Sequence, residues 1–428
     1  MAARPSIYYN YPHPARLRFA WQATLPTRGR VKASGVALTS PDLKTRDFRR
    51  ILLIKLSAVG DVLHTIPVLN KLRKRYPAAR IDWLAAPEIA ELLRHHPGIN
   101  NVIEFARGEW SEPWRLRPFA NTARLAGDLR ATRYDLVVDM HGQFRTAVFA
   151  VATGAPVRIG FDRPRAQVWA ASDRELPQAA RKHAWQGARE LSWLAYTHHI
   201  RLPTLEVHAV DRYLSIGPML GLDESAADFS FPIPPAARAR IASLLSQHGV
   251  VATARGLIVI APGTVWETKA WREQGFAEVA RHFMNQGFAV VLVGSPRERA
   301  LCAQIGSDAP GAINLAGETS LTELVALVDR ASLCVTNDSG PMHLAVARAR
   351  PVVSIFGPTD PIWIGPYGRL DAVLQSKIAC APCYFRTLAR CPHQHACMRD
   401  ITATAVIERA QGLLDAAGSA RVASQAFM

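Results

Sequence analysis

From Ile51 onward the chain alternates unbroken apolar runs with longer amphipathic stretches. ILLIKL (51–56), RIDWLAA (80–86), NVIEFA (101–106), DLVVDMHG (135–142) and VRIGF (157–161) read as strands, and the residues at about 61–76, 87–96, 118–130 and just beyond 142 read as helices. Runs that stay apolar at successive positions belong to strands covered on both faces. Strands separated by helices imply a parallel, doubly wound sheet. Residues 162–235 are less regular, with Trp- and His-bearing helices, and they close on FPIPP (231–235), the linker candidate. The alternation then restarts with GLIVIAPG (256–263), AVVLVGS (289–295), AINLAG (312–317), LCVTNDSG (333–340) and VVSIFGP (352–358). The expected fold is therefore α/β, with two Rossmann-like doubly wound halves facing a central cleft. Their bounds are 48–235 and 236–415, between an arm at 1–47 and a tail at 416–428.

Length agrees with two halves, since 428 residues exceed what one hydrophobic core usually organises. No apolar stretch approaches the ~18 residues of a membrane-spanning helix, and the N-terminus lacks the apolar core of a secretory signal, so the expected location is the cytoplasm. The net charge of +16 is unevenly placed: residues 1–50 carry ten Lys or Arg against Asp42 and Asp47. A nucleic-acid protein would carry its basic stripe on folded elements instead. An anionic membrane, a phosphorylated acceptor or a nucleotide sugar fits better. The arm itself reads as a flexible basic segment with one sticky patch, RLRFAW (16–21). It also has the acid-poor composition of a transit peptide, or the look of a start codon placed too far upstream.

Three motifs follow strands and open helices, where ligands lie in such sheets. The first is Ser57-Ala-Val-Gly60-Asp61 with His64; Gly60 suits a tight turn, and Asp61 reads equally as a helix cap or a reactive carboxylate. The second, APGTVWETKAW (261–271), offers backbone approach at Gly263, the Thr264 hydroxyl and the Lys269 charge, a set able to hold a diphosphate without a metal. The third is TNDSGPMH (336–343). Its helix N-terminus at Ser339 and Gly340 suits an anion, Asp338 suits sugar hydroxyls or a cap, and His343 suits a ligand contact or a buried position. No D-x-D sequence is present to hold a divalent ion.

Of six cysteines, Cys302 and Cys334 sit in apolar surroundings and read as ordinary buried thiols. Cys380, Cys383, Cys391 and Cys397 crowd together, with His393 and His395 between them. The C-x7-C and C-x5-C gaps are not the usual zinc-knuckle spacing, so a reduced thiol cluster or a redox-labile pair stands ahead of a structural zinc site.

Taken in order, these residues resemble glycosyltransferase family 9, the ADP-heptose:lipopolysaccharide heptosyltransferases of Gram-negative bacteria, over about residues 50–412. The resemblance is carried by KLSAVGDVLHTIP (55–67), APGTVWETKAW (261–271), VLVGSPRE (291–298), TNDSGPMHLA (336–345) and SIFGPTDP (354–361). HAVDRYL (208–214), after DMHGQFRTA (139–147), is most similar to heptosyltransferase I-like enzymes, which add the first heptose to Kdo. The resemblance implies GT-B architecture and inverting, metal-independent transfer of heptose from ADP-L-glycero-D-manno-heptose to the Kdo-bearing inner core, with no cofactor. It implies Asp61 as catalytic base, with Ser57, Gly60 and His64 on the acceptor side. It implies Lys269 and Thr264 on the diphosphate, Asp338, Ser339 and Gly340 on heptose and phosphates with His343 on the same helix turn, and Glu298 on the ribose. The implied partners are ADP-heptose, a Kdo-lipid A or inner-core acceptor and the cytoplasmic face of the inner membrane, with no nucleic acid. The cysteine run is similar to that of second-heptose enzymes, which leaves the acceptor open. The alternatives are a family 9 transferase of a later heptose or another sugar, a GT-B-fold sugar-nucleotide 2-epimerase, and a non-enzymatic carbohydrate- or nucleotide-binding protein.

Overall fold

The structure, a computed structural model, describes residues 43–106, 116–163, 187–202, 206–250 and 255–425. Strands β1 (Arg50–Ile54), β2 (Arg80–Ala85), β3 (Asn101–Glu104), β4 (Leu136–Asp139), β5 (Val157–Phe161) and β6 (His198–Ile200) form one sheet in the order β3-β2-β1-β4-β5-β6. Strands β7 (Leu257–Ala261), β8 (Ala289–Leu292), β9 (Ile313–Asn314), β10 (Leu333–Asn337), β11 (Val352–Phe356) and β12 (Val373–Gln375) form a second, in the order β12-β11-β10-β7-β8-β9. Every pairing is parallel. The second order is the first repeated, so this is one doubly wound design used twice.

The apolar runs do what their composition demands. Ile51 to Ile54 are wholly buried. In the second half, Leu257, Val259 and Ala261 face the core shared with the Pro235–Gln247 and Leu321–Arg330 helices. Ile258 and Ile260 face the opposite core, with the Glu273–Asn285 and Arg299–Asp308 helices and the closing Ala403–Gln425 helix. A strand with no polar face needs a helix layer on each side, and each layer supplies one.

The two halves touch directly. Leu63 and Leu92 of the first half lie in the same apolar cluster as Phe231, Ile233 and Met342. Ser320 Oγ donates to Glu91 Oε1 at 2.6 Å. Asn70 Nδ2 donates to the carbonyls of Asp228 and Ser230 on the connecting segment.

Four differences from the sequence expectation have physical reasons. The first long helix is Val59–Arg75, starting before Asp61, and it carries Pro67 within it. The strands stop short of the motif residues, because DMHG and NDSG leave the ladder to turn into helices. Strands β6 and β12 were not anticipated, since three-residue edge strands carry no periodicity. Packing also extends past both expected ends: Leu43 is buried, and the last helix runs through Gln425, beyond residue 415. The RLRFAW patch lies outside the described residues.

Candidate active site

Both sheets reverse their strand order between a first and a fourth strand, and the motifs fall at those two crevices. After β1 the chain passes through Lys55 and Ser57, both buried, and enters the Val59–Arg75 helix. Asp61 is its third residue. One carboxylate oxygen, Oδ2, accepts the Ala58 N–H at a long 3.4 Å, so the cap and the cleft share one side chain. The other, Oδ1, accepts the Tyr213 hydroxyl at 3.2 Å. Lys55 Nζ donates to Tyr213 Oη at 2.7 Å and to the Met140 carbonyl at 3.0 Å, and stands 4.0 Å from Asp61 Oδ1. The Lys55 side chain is 5% exposed and that of Asp61 46%.

These charges set one another. Lost hydration pushes the Asp61 carboxyl up, but Lys55, His141, the Ala58 N–H and His343 outweigh it, and the group sits below the ordinary carboxylate value. Burial pushes Lys55 down, but Asp61 and Tyr213 pull it above its ordinary value, so it keeps its charge. Asp139, at the end of β4, is wholly buried and raised by that burial. It accepts the His141 and Gly142 N–H groups at 2.8 and 3.1 Å and the Tyr196 hydroxyl at 2.9 Å.

Across the cleft, the loop after β7 carries Thr264, Trp266 and Lys269. Lys269 Nζ pairs with Asp338 Oδ2 at 2.6 Å and lies 4.4 Å from the centre of the Trp266 ring. Thr359 Oγ1 donates to the same Asp338 oxygen at 2.6 Å. Asn337 fixes the loop, donating to the Pro262 carbonyl at 2.7 Å and accepting the Trp271 N–H at 3.2 Å. Ser339 precedes the Gly340–Ala347 helix and makes no side-chain capping bond; its hydroxyl donates to the Asn337 carbonyl at 3.4 Å. Glu298 receives the Ser295 N–H at 2.6 Å and lays its carboxylate where a side chain at Gly263 or Gly294 would stand. The Glu298 carboxylate therefore occupies the open face of Gly263, the position at which the sequence suggested that backbone approaches a ligand.

The two crevices meet at their helix starts. A Cβ at Gly340 would lie 3.3 Å from Val59 Cβ, and one at Gly60 would collide with the His343 ring. Gly60 thus makes room for an imidazole from the other half and is not a turn glycine. His64, expected on the acceptor side, is buried in this joint: its Nε2 lies 3.0 Å from His343 Nδ1, and its ring edges onto His208 at 5.1 Å. His208 Nε2 donates to the Gly365 carbonyl at 2.9 Å. Burial, above all, pushes His343 down to about 4, His208 to about 3 and His64 well below the imidazole value, so all three are neutral at pH 7.

The cysteine-bearing segment forms an outer wall of this site. Thr268 Oγ1 donates to the Phe385 carbonyl, and His395 Nε2 donates to the Thr268 carbonyl at 2.7 Å. Arg386 covers the Trp266 ring at 4.9 Å. All four cysteines are free thiols, and Cys397 is pushed up to about 12 by burial and by its neighbouring cysteines. Among the described residues no three His, Cys, Asp or Glu side chains are arranged to hold a metal ion. Cys302 and Cys334 are buried free thiols.

Of the residues named from sequence, Asp61, Gly60, His64, His343, Asp338, Ser339, Gly340 and Lys269 converge at this meeting point. Ser57 lies just behind Asp61, Thr264 lies on the Lys269 loop, and Glu298 lies over Gly263. Sequence reasoning missed Lys55, Tyr213, His208 and Arg386. The first had a signal, a lysine inside an apolar run; the others are brought in by packing across more than 100 residues of chain.

Residues 122–186 and 176–392 match the model of glycosyltransferase family 9 (heptosyltransferase). The chain is 30% identical over 343 residues to lipopolysaccharide heptosyltransferase 1 of Pseudomonas aeruginosa, covering 79% of this chain and 87% of that protein. It is 31% identical to lipopolysaccharide heptosyltransferase 3 of Escherichia coli, covering 72% and 83%. Its fold is similar to the crystal structure of a family 9 glycosyltransferase from Veillonella parvula, with a TM-score of 0.68 and 23% identity over 86% of this chain and 97% of that one.

Proposed function

The chain belongs to glycosyltransferase family 9, the heptosyltransferases, and from that premise we propose that it moves heptose from ADP-L-glycero-D-manno-heptose to the Kdo-bearing inner core of lipopolysaccharide, with inversion and without a metal ion. The observation that carries this reading is the convergence at His343. Its ring fills the space beside Gly60, next to Asp61, and lies in the field of Asp338, Asp61 and Lys269. A carboxylate from one half and a cation from the other thus flank one point.

In this reading the diphosphate takes the donors that Asp338 leaves free on Lys269, the Thr264 hydroxyl and the N-terminus of the Gly340–Ala347 helix. Together these offset the charge that grows as the sugar–phosphate bond breaks. Asp338 and Glu298 face hydroxyls of the heptose and ribose. Asp61 accepts the proton of the acceptor hydroxyl as that oxygen attacks the anomeric carbon from the opposite side, which inverts its configuration. The near-equal identities to a lipopolysaccharide heptosyltransferase 1 and a lipopolysaccharide heptosyltransferase 3 leave HAVDRYL as the feature favouring the first-heptose reading.

The same reading puts the protein against the cytoplasmic face of the inner membrane, where a lipid acceptor lies. No helix among the described residues is long and apolar enough to cross a membrane. Support for peripheral contact comes from Phe144 and Val151 on the Phe144–Ala152 helix, and from Leu194 on the Ser192–Ala195 turn packed beside it with Leu191 just before that turn, each at least half exposed. That corner adjoins the cleft end of β4.

One experiment tests the proposed donor, acceptor and membrane contact. Mass spectrometry follows ADP-heptose with Kdo-lipid A or with an already heptosylated core, each in detergent micelles and in anionic vesicles. The expected product is Kdo-lipid A plus one heptose, and Leu194→Asp slows transfer in vesicles alone. Product only on the heptosylated core would reassign the acceptor; no transfer to either, or consumption of donor without acceptor, would contradict the reading.

A further inference from the structure

A lysine ammonium in a protein interior is costly unless something there needs its charge. Lys55 is such a group, and its surroundings are unequal. Its side chain is 5% exposed while the carboxylate it faces is 46% exposed. An ion pair serving only stability would bring both charges into direct contact. Here the ammonium stops 4.0 Å short of Asp61 Oδ1 and spends its hydrogen bonds on Tyr213 Oη at 2.7 Å and the Met140 carbonyl at 3.0 Å. Tyr213, itself buried, then donates its own proton to Oδ1 at 3.2 Å.

Donation therefore runs one way, from ammonium to phenol to carboxylate. Oδ1 is held from behind, and among the described residues Oδ2 accepts only the long 3.4 Å bond from the Ala58 N–H. Tyr213 is fixed in turn, because its Ala209–Leu214 helix is capped by His208 Nδ1, which accepts the Val210 N–H at 3.1 Å. Lys55 is fixed just past β1, where its carbonyl accepts the Trp83 indole N–H at 3.1 Å and its own N–H donates to the Leu84 carbonyl at 3.2 Å.

We propose that Lys55 and Tyr213 are positioning residues that hold Asp61 by Oδ1, so that Oδ2 is the atom that takes the acceptor's proton. The inference rests on the reading of Asp61 as the base. Proton balance is simple: the acceptor hydroxyl loses its proton to Oδ2 as its oxygen bonds to the anomeric carbon, and ADP leaves with the electrons of the broken sugar–phosphate bond. Lys55 and Tyr213 keep their protons throughout. The hold fixes the carboxylate plane, which a free side chain at a helix start would not ensure.

The test is the pH dependence of kcat with ADP-heptose and Kdo-lipid A for the wild type, Tyr213→Phe, Lys55→Met and Asp61→Asn. The groups around Asp61 are Lys55 and the Ala58 N–H, His141 beyond β4, Arg212 and Tyr213 on their helix, and His343 from the other half. Removing the Lys55 charge lifts the Asp61 pKa, so the acid limb of the profile moves to higher pH by about one unit. Tyr213→Phe keeps the ring and removes only the hydroxyl. It lowers kcat by roughly 10-fold or more while donor KM stays within about 2-fold, as expected for a group acting on the base and not on donor binding. A wild-type acid limb and kcat in Tyr213→Phe, with Asp61→Asn inactive, would overturn the inference and leave the base reading standing. Full activity in Asp61→Asn would remove both. If Lys55→Met does not fold, the kcat and KM of Tyr213→Phe decide.

Discussion

Lys269 shows how far a single residue can be read. A lysine after a strand in APGTVWETKAW suggested a phosphate grip, and its ammonium does lie at the cleft end of β7, beside Trp266 and paired to Asp338 at 2.6 Å. An ammonium has three donors, and the Asp338 pair aims it without using all of them. Lys269→Ala should therefore weaken ADP binding by roughly 10- to 100-fold, the range of a charge-assisted hydrogen bond, in calorimetric titration. Unchanged ADP affinity would take Lys269 out of the donor site. Asp61, Lys269 and Asp338 were legible because each stands a few residues past an apolar run, where the fold class puts ligands. Tyr213 was not legible, because its meaning comes from Lys55, 158 positions away. Gly60 was legible as important, yet for another reason than its own backbone: it yields space to the His343 ring from a distant motif.

At the scale of elements, the central fact is that two helices begin against each other, one at Val59 and one at Gly340. Their contact has no room for one methyl group, since a Cβ at Gly60 would strike a His343 ring already held against His64. Gly60→Ala should lower stability by about 1–3 kcal/mol, the usual cost of overpacking, and this reads as a lowered Tm. In a His343→Ala background the same change should cost much less. Equal costs in both backgrounds would mean that the helices do not meet this way. The elements themselves were largely visible in the sequence. Unbroken apolar runs such as ILLI and LIVIA need cover on both faces and have no other stable home. Their ends were less visible, because the motif residues are chemically able to continue a strand but are held outside the ladder by the turns into their helices.

For the whole molecule, the repeated strand order puts a reversal point in each half and brings the two reversal points together. In the proposed reading that arrangement separates duties, with the acidic base and its buried Lys55–Tyr213 support in the first half and the cation for the donor in the second. The two-sheet plan followed from the restart of the alternation after FPIPP. The closeness of the halves did not, because it is fixed by contacts such as His64 to His343 and Ser320 to Glu91 that no local pattern announces. The proposed transfer depends on this division between a donor grip and a proton acceptor. Its most direct test is transfer by Asp61→Asn in a single turnover, with ADP affinity measured on the same protein. The account predicts a rate at least about 100-fold below wild type with ADP binding unchanged. A near-normal rate, or ADP affinity lost in step with the rate, would contradict it.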